Sequence, residues 1–181
     1  MKKFLAAVLA AAMMLSLAAC GSSNWPYTDK DVTVTKDGDA STYVGGINSS
    51  LRTAWFDFAV TDAYLTDEIA GYEAEDGYNY LVVSVSLRNT FNEPVPMYDG
   101  DFMIMWGDGK YESDYCYEGD EHVLDDQFPS DYEIGVKEIK SGTLIFGVPA
   151  DKEDFSFVFR EYYEDGSEGN DYIVNFTADE K

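Results

Sequence analysis

The feature that most restricts the fold of this chain is a regular alternation of apolar and polar residues between positions 78 and 89. Ser84, Ser86 and Arg88 lie between apolar neighbours. The apolar residues of this segment occupy every second position: Leu81, Val83, Val85 and Leu87. Because successive side chains of a β-strand point to opposite faces, this period predicts a strand with one face on a hydrophobic core.

The same period recurs elsewhere in the chain, in the segments 56–60, 144–148, 155–159 and 174–176. Residues 102–106 are apolar on both faces, as in a central strand, and residues 133–139 are a weaker strand candidate. No segment has the pattern of a long amphipathic helix. Together these features predict an all-β fold, an antiparallel β-sandwich of about seven to nine strands, with a β-barrel as the main alternative.

Three of these segments resemble a known family when they are taken in order. They are WFDFAV at 55–60, YLVVSVSLRN at 80–89 and GTLIFGVP at 142–149. This part of the chain is similar to uncharacterised immunoglobulin-like domains found on lipoproteins of Gram-positive bacteria, which are related to a secreted mycobacterial antigen family. The resemblance implies an immunoglobulin-like sandwich over about 54–176 and carries over no catalytic residue.

The N-terminus has the features of an export signal. A basic start at residues 1–3 precedes the apolar run 4–17, which is shorter than the about 20 apolar residues that a membrane-spanning helix needs. The run ends in Leu17-Ala18-Ala19-Cys20, which resembles the lipobox of bacterial lipoproteins. The resemblance implies a signal peptide over 1–19, a diacylglyceryl anchor on Cys20 and a location on the extracytoplasmic face of the cell membrane. The alternative is a conventional signal peptide followed by a chance cysteine.

The segment after this signal differs in composition from the rest of the chain. Residues 21–53 are rich in Gly, Ser, Thr, Asn and Asp, and only residues 31–36 have a strand-like alternation. A flexible chain of about 33 residues has an r.m.s. span of roughly 30 Å. We therefore expect residues 20–53 to be a lipidated N-terminus and flexible tether, and residues 54–181 to be the sandwich domain.

The net charge limits the partners. The chain has 35 acidic and 12 basic residues, for a formal charge of −23. Removal of Lys2 and Lys3 with the signal would leave 10 basic residues and a charge of −25. Nucleic acids and anionic lipid surfaces attract basic proteins, so neither is an expected ligand, and membrane attachment must come from the lipid anchor. Cationic or neutral partners are favoured.

The sequence offers few residues for nucleophilic catalysis. His122 is the only histidine, and Cys116 lies six residues before it. A Cys–His dyad is conceivable at this spacing, but a solvated histidine among carboxylates and a packed cysteine between two tyrosines is the favoured interpretation. We expect a non-enzymatic protein without a cofactor.

Calcium is the one metal that the composition suggests. Carboxylates are dense between residues 99 and 133, and Ca²⁺ takes six to eight oxygen ligands. No segment has the order of a twelve-residue EF-hand loop, and a solvated acidic face is the alternative interpretation. The candidate ligands are Asp99, Asp101, Asp120, Glu121, Asp125 and Asp126.

Aromatic residues suggest what the domain binds. The chain has 14 Tyr, 11 Phe and 3 Trp, and such rings stack on sugars and protein partners as well as filling cores. Tyr111, Tyr115 and Tyr117 would share a face if their segment is one strand. The sequence therefore predicts a membrane-anchored binding or interaction module for an unknown protein or glycan. The alternative is an accessory protein that binds carbohydrate or cell-wall glycan with the help of calcium.

Overall fold

The chain is all-β in a computed structural model that describes residues 24–107, 123–163 and 165–181. Within these residues there are fourteen strands and one 3-10 turn, Asp99–Asp101, and no α-helix. The strands are, in chain order, β1 (Thr33–Asp37), β2 (Ala40–Gly45), β3 (Leu51–Arg52), β4 (Phe56–Thr66), β5 (Glu68–Ile69), β6 (Tyr72–Glu73), β7 (Tyr78–Asn89), β8 (Val95–Tyr98), β9 (Phe102–Trp106), β10 (Asp131–Ile134), β11 (Ile139–Pro149), β12 (Asp154–Tyr162), β13 (Glu168–Thr177) and β14 (Asp179–Glu180).

Two main sheets form the layers of a sandwich. The first has the order β1-β2-β13-β12-β9, and the second has the order β11-β7-β4-β14 with β3 also paired to β4. No strand of the described residues belongs to both, so the expected β-sandwich is confirmed rather than the barrel. The two sheets hold ten strands, more than the seven to nine expected. Pairing is antiparallel except between β2 and β13 and between β4 and β14, which are parallel.

The alternating residues of the sequence form the core. Phe58, Val83 and Leu144 from the second sheet face Phe157 and Val174 from the first, and all five side chains are fully buried. A group of phenylalanine rings lies at the centre with centroids 4.8–6.4 Å apart: Phe56, Phe58, Phe102, Phe157 and Phe159. Aromatic pairs at this spacing contribute about 0.5–1.5 kcal/mol each beyond their buried area.

Part of the predicted tether belongs to the sandwich, which corrects the expected boundary at residue 54. β1, β2 and β3 all lie within 20–53, and β2 pairs with β13 from Asp171↔Thr42 to Val174↔Gly45. Main-chain hydrogen bonds carry this pairing, and Tyr43 stacks on Tyr172 with ring centroids 4.9 Å apart. The polar composition of such a segment does not reveal that it is a strand, because pairing in a sheet needs only backbone groups and a few apolar contacts.

The Asp37-Gly38-Asp39 loop is a tight hairpin turn between β1 and β2, where Gly38 has a φ of 64°, a conformation that glycine adopts without strain. The weak strand expected at 133–139 is wrong for most of its length: β10 ends at Ile134 and pairs with β8, residues 135–138 form a turn, and Ile139 begins β11.

Candidate functional site

A groove of about 410 Å³ opens at one end of the sandwich. Its walls come from the start of β4, the loop after β7, β8, the 3-10 turn and the end of β12. The side chains along it are mainly aromatic or proline, with three charged groups. The lining residues on which the argument depends are Trp55, Phe91, Pro96, Tyr162, Glu93, Asp101 and Arg160.

Large aromatic surfaces at this groove face solvent. Phe91 is 41% exposed and Tyr162 is 57% exposed, although both are residue types that a sandwich ordinarily places in its core. Trp55 is half-buried, and its ring lies 6.5 Å from that of Tyr163. Exposed aromatic side chains that border one concave surface are typical of a ligand or partner site.

Buried Asn89 holds the loop that carries Phe91 and Glu93. Its Nδ2 donates to the carbonyl oxygens of Glu93 and Ile134, both at 2.8 Å, and its Oδ1 accepts from the backbone N–H of Phe91 at 2.7 Å. The Thr90 N–H donates to the carbonyl oxygen of Trp55 at 3.0 Å. These bonds connect the loop to the start of the neighbouring strand β4 and to β10, so the exposed ring of Phe91 is presented by a fixed backbone.

Buried Glu161 fixes the backbone next to Trp55. This side chain is 1% exposed, and its Oε1 accepts from the Ala54 N–H and from the Tyr172 hydroxyl, both at 2.8 Å. Its Oε2 accepts from Asn170 Nδ2 at 2.9 Å and from the Asn170 N–H at 3.2 Å. One carboxylate thus connects the start of β4 with β12 and β13, and it is well satisfied by donors despite its burial.

The negative charge of Glu161 affects its tyrosine neighbours. Burial, together with the hydrogen bond to Glu161, raises the pKa of Tyr172 well above its usual value. The charge of Glu161 also raises the pKa of Tyr163. Both phenols therefore stay protonated at neutral pH and act here as donors rather than as acid–base groups.

The charged groups that line the groove give it an acidic character. Arg160 is bound by Asp171 through Nε–Oδ1 and Nη2–Oδ2 contacts of 2.6 and 3.0 Å, and its Nη1 lies 3.2 Å from Glu168 Oε2. Its positive charge is therefore compensated within the protein. The carboxylates of Glu93 and Asp101 also line the groove, which gives its surface a negative charge. The groove therefore favours a cationic or neutral ligand.

The calcium candidates are only partly within the described residues. Asp99 and Asp101 belong to the 3-10 turn at the groove, and Asp101 Oδ2 accepts from the Tyr98 N–H at 2.8 Å. Asp125 is exposed, and Asp126 Oδ1 accepts from Thr143 Oγ1 at 3.3 Å. Asp120 and Glu121 lie outside the described residues. Among residues 24–107, 123–163 and 165–181, no three His, Cys, Asp or Glu side chains are grouped so that they could hold a metal ion.

The remaining residues singled out in the sequence also lie outside the described part of the chain. They are Cys20, Tyr111, Tyr115, Cys116, Tyr117 and His122. The lipidation site and the Cys–His pair therefore stay predictions. The groove itself was not predicted from the sequence, because Trp55, Phe91 and Tyr162 are far apart along the chain and each is a common core residue type.

Comparison with known proteins supports the fold. Residues 45–168 match the family described as "Domain of unknown function (DUF4352)". No protein with a curated description is significantly similar. Within the described residues, no helix has the length and apolar character that a membrane crossing requires.

Among solved structures, a Bacillus subtilis protein described as a "putative lipoprotein (ycdA)" aligns with a TM-score of 0.55 and 19% identity. The alignment covers 71% of this chain but only 38% of that protein. A conserved hypothetical protein from Bacillus anthracis aligns with a TM-score of 0.46 and 14% identity, over 69% of this chain and 93% of that one. An uncharacterized β-sandwich protein from Clostridium difficile aligns with a TM-score of 0.45 and 14% identity, over 79% of this chain and 99% of that one.

These likenesses concern the fold alone, and the family match covers more than half of the sequence. The strands that carry the sequence resemblance, β4, β7 and β11, all lie within the matched residues. The chain therefore belongs to the family of DUF4352 domains.

Proposed function

We propose that this protein is an exported lipoprotein, held at the extracytoplasmic face of the cell membrane by a diacylglyceryl group on Cys20. The signal-like residues 1–19 and the lipobox-like Leu17-Ala18-Ala19-Cys20 support this. The description of the Bacillus subtilis relative as a putative lipoprotein is consistent with it. Two acyl chains suffice for stable anchoring, because each buried methylene contributes about 0.8 kcal/mol.

We further propose that the sandwich is a non-catalytic binding module and that the groove is its binding site. The observation that carries this proposal is the convergence of Trp55, Phe91 and Tyr162 on one concave surface. Asn89 fixes the backbone of Phe91, and Glu161 fixes that of Ala54 next to Trp55, so little backbone ordering is needed when a ligand binds. The acidic lining favours a cationic or neutral protein or glycan.

The second candidate function is calcium-assisted binding of carbohydrate or cell-wall glycan. The aromatic rings favour it, since sugar rings stack on aromatic faces, and Asp101 at the groove could provide one oxygen ligand. Calcium itself stays a prediction. Binding to a glycan array with and without Ca²⁺ separates the two candidates, because only the second requires the ion.

Substitution of the lipobox cysteine tests the anchor. In the Cys20→Ala variant we expect no acyl mass on the mature protein and loss of the protein from the membrane fraction, because the thioether to diacylglycerol cannot form. Intact-mass spectrometry of the membrane and medium fractions measures both. The Cys116→Ala variant is the control and should keep its acyl mass. A wild-type protein that retains Met1 and carries no acyl group would contradict the proposal.

Substitution of exposed groove aromatics tests the binding site. We expect Phe91→Ala and Tyr162→Ala each to weaken binding of the best glycan or cell-surface peptide from an array by about tenfold or more, as for central aromatic contacts. Tyr72→Ala is the matched control, because Tyr72 is 53% exposed, close to the 57% of Tyr162, but does not line the groove. Equal affinities of all three variants and wild type would place the binding site elsewhere.

A further inference from the structure

The segment that follows the lipobox is bound to the outer face of the second sheet. Trp25 Nε1 donates to Ser50 Oγ at 2.9 Å, and the Ser50 N–H donates to the carbonyl oxygen of Thr28 at 2.8 Å. The Tyr27 hydroxyl lies 3.3 Å from Ser86 Oγ on β7, and the rings of Trp25 and Tyr27 meet edge to face at 4.9 Å. Residues 25–28 therefore belong to the folded domain.

An ionic cluster lies beneath this segment. Asp57 is 1% exposed and accepts from Arg52 at 2.7 and 3.1 Å and from Arg88 Nε at 3.0 Å and Nη2. The guanidinium of Arg88 lies 4.9 Å from the centroid of the Trp25 ring, in cation–π geometry. These contacts hold Trp25 against a rigid part of the sheet.

The surface formed here, which we name the N-terminal patch, consists of Trp25, Tyr27, Lys30, Arg52 and Arg88 around a cavity of about 380 Å³. Two carboxylates, Asp29 and Asp57, also line this cavity, and exposed Asp31 follows Lys30. Three cations and two carboxylates give the lining a formal charge of +1, and Asp31 brings the surface to neutral, whereas the mature chain would carry −25. The rest of the domain is repelled by anionic lipids, but this surface is not.

Chain length limits how far the patch can lie from an anchor on Cys20. Four residues lie between Cys20 and Trp25, so five residue steps join them. A fully extended chain covers at most about 3.6 Å per step, or roughly 18 Å in all. The headgroup layer takes up part of this distance, since it adds about 5–7 Å on each side of the hydrocarbon core. Tryptophan and tyrosine are enriched at this depth because their rings combine apolar and polar edges.

We propose that the N-terminal patch is the membrane-facing surface of the domain, with Trp25, Lys30 and Arg52 in contact with phospholipid headgroups. This inference rests on the proposed acylation of Cys20. The domain then does not swing on a long tether but lies against the bilayer in one orientation, with the outer face of β4 and β7 toward the lipid.

Fluorescence of the acylated protein in vesicles tests this orientation. The chain has three tryptophans, so Trp55→Phe with Trp106→Phe leaves only Trp25, and Trp25→Phe with Trp55→Phe leaves only Trp106 as the matched control. In phosphatidylglycerol–phosphatidylcholine vesicles with bromine-labelled acyl chains, we expect quenching of Trp25 at least about twofold stronger than that of Trp106, because interfacial tryptophans lie close to the acyl chains.

A second measurement uses the unsubstituted protein and does not depend on variants that could misfold. Reaction of lysines with a soluble amine reagent, read by peptide mass spectrometry, should slow several-fold at exposed Lys30 when the protein is anchored in vesicles. It should stay unchanged at Lys152, whose side chain is 38% exposed. Acylated protein that floats with the vesicles but shows equal quenching of the two tryptophans, or unchanged labelling of Lys30, overturns this inference and leaves the anchor intact. Protein without an acyl mass that does not float overturns both.

Discussion

The Asp57→Ala variant is expected to lose about 3–5 kcal/mol of its free energy of unfolding, the cost of removing one partner from a buried ion pair. Asp57 is 1% exposed and is bound by both Arg52 and Arg88, and the Arg88 side chain is itself only 17% exposed. Loss of the carboxylate leaves the Arg88 charge in a poorly hydrated site without these contacts. The hydrogen bond to Asp57, followed by the attraction of its charge, also raises the pKa of Arg52.

An exposed ion pair in the same strand provides the control. Asp62 on β4 binds Lys181 at 2.9 Å, but its side chain is 57% exposed and that of Lys181 is 55% exposed. Asp62→Ala should therefore cost less than about 1 kcal/mol. Chemical denaturation of the two variants and wild type measures the difference. Similar losses in both variants would contradict a structural role for the buried cluster.

Asp57 and Arg88 also show where sequence reasoning was limited. Both were placed correctly on the strand face opposite the core, because alternation along 56–60 and 78–89 fixes which side chains share a face. That face was expected to meet solvent. The structure covers it with Trp25, a contact between segments about 60 residues apart that no local pattern encodes.

The same limit explains the tether and the groove. Alternation identified β4, β7, β11 and β12, since each of these long strands buries one apolar row, but β2 contributes mainly backbone hydrogen bonds and has no such row. The groove joins Trp55, Phe91 and Tyr162 from three distant segments. Its one local sign is the Pro94–Pro96 stretch. Proline is confined to the edges of sheets, and β8, which holds Pro96, pairs with β10 alone among the described strands, but this does not by itself indicate a ligand.

The Glu161→Ala variant should lose about 3 kcal/mol or more of unfolding free energy, since one buried donor and three part-buried donors lose a charged acceptor at once. Those donors are the Ala54 N–H, the Tyr172 hydroxyl and the two nitrogens of Asn170. We also expect faster amide hydrogen exchange at Ala54, because the hydrogen bond described for its N–H is made to the Glu161 carboxylate, which the substitution removes. A faster opening there would release the backbone of Trp55 and weaken ligand binding in the groove.

Glu168→Ala is the matched control for this prediction, since Glu168 is 61% exposed and pairs with Arg160 only at 3.2 Å. It should change the unfolding free energy by less than about 1 kcal/mol and leave exchange at Ala54 as in wild type. Denaturation curves and hydrogen exchange read by mass spectrometry give both quantities. If Glu161→Ala loses stability while Ala54 exchanges at the wild-type rate, Glu161 supports the core but does not position Trp55. In that case Glu161 would not contribute to ligand binding in the groove, because a positioning residue must restrict the motion of the backbone to which it is hydrogen-bonded.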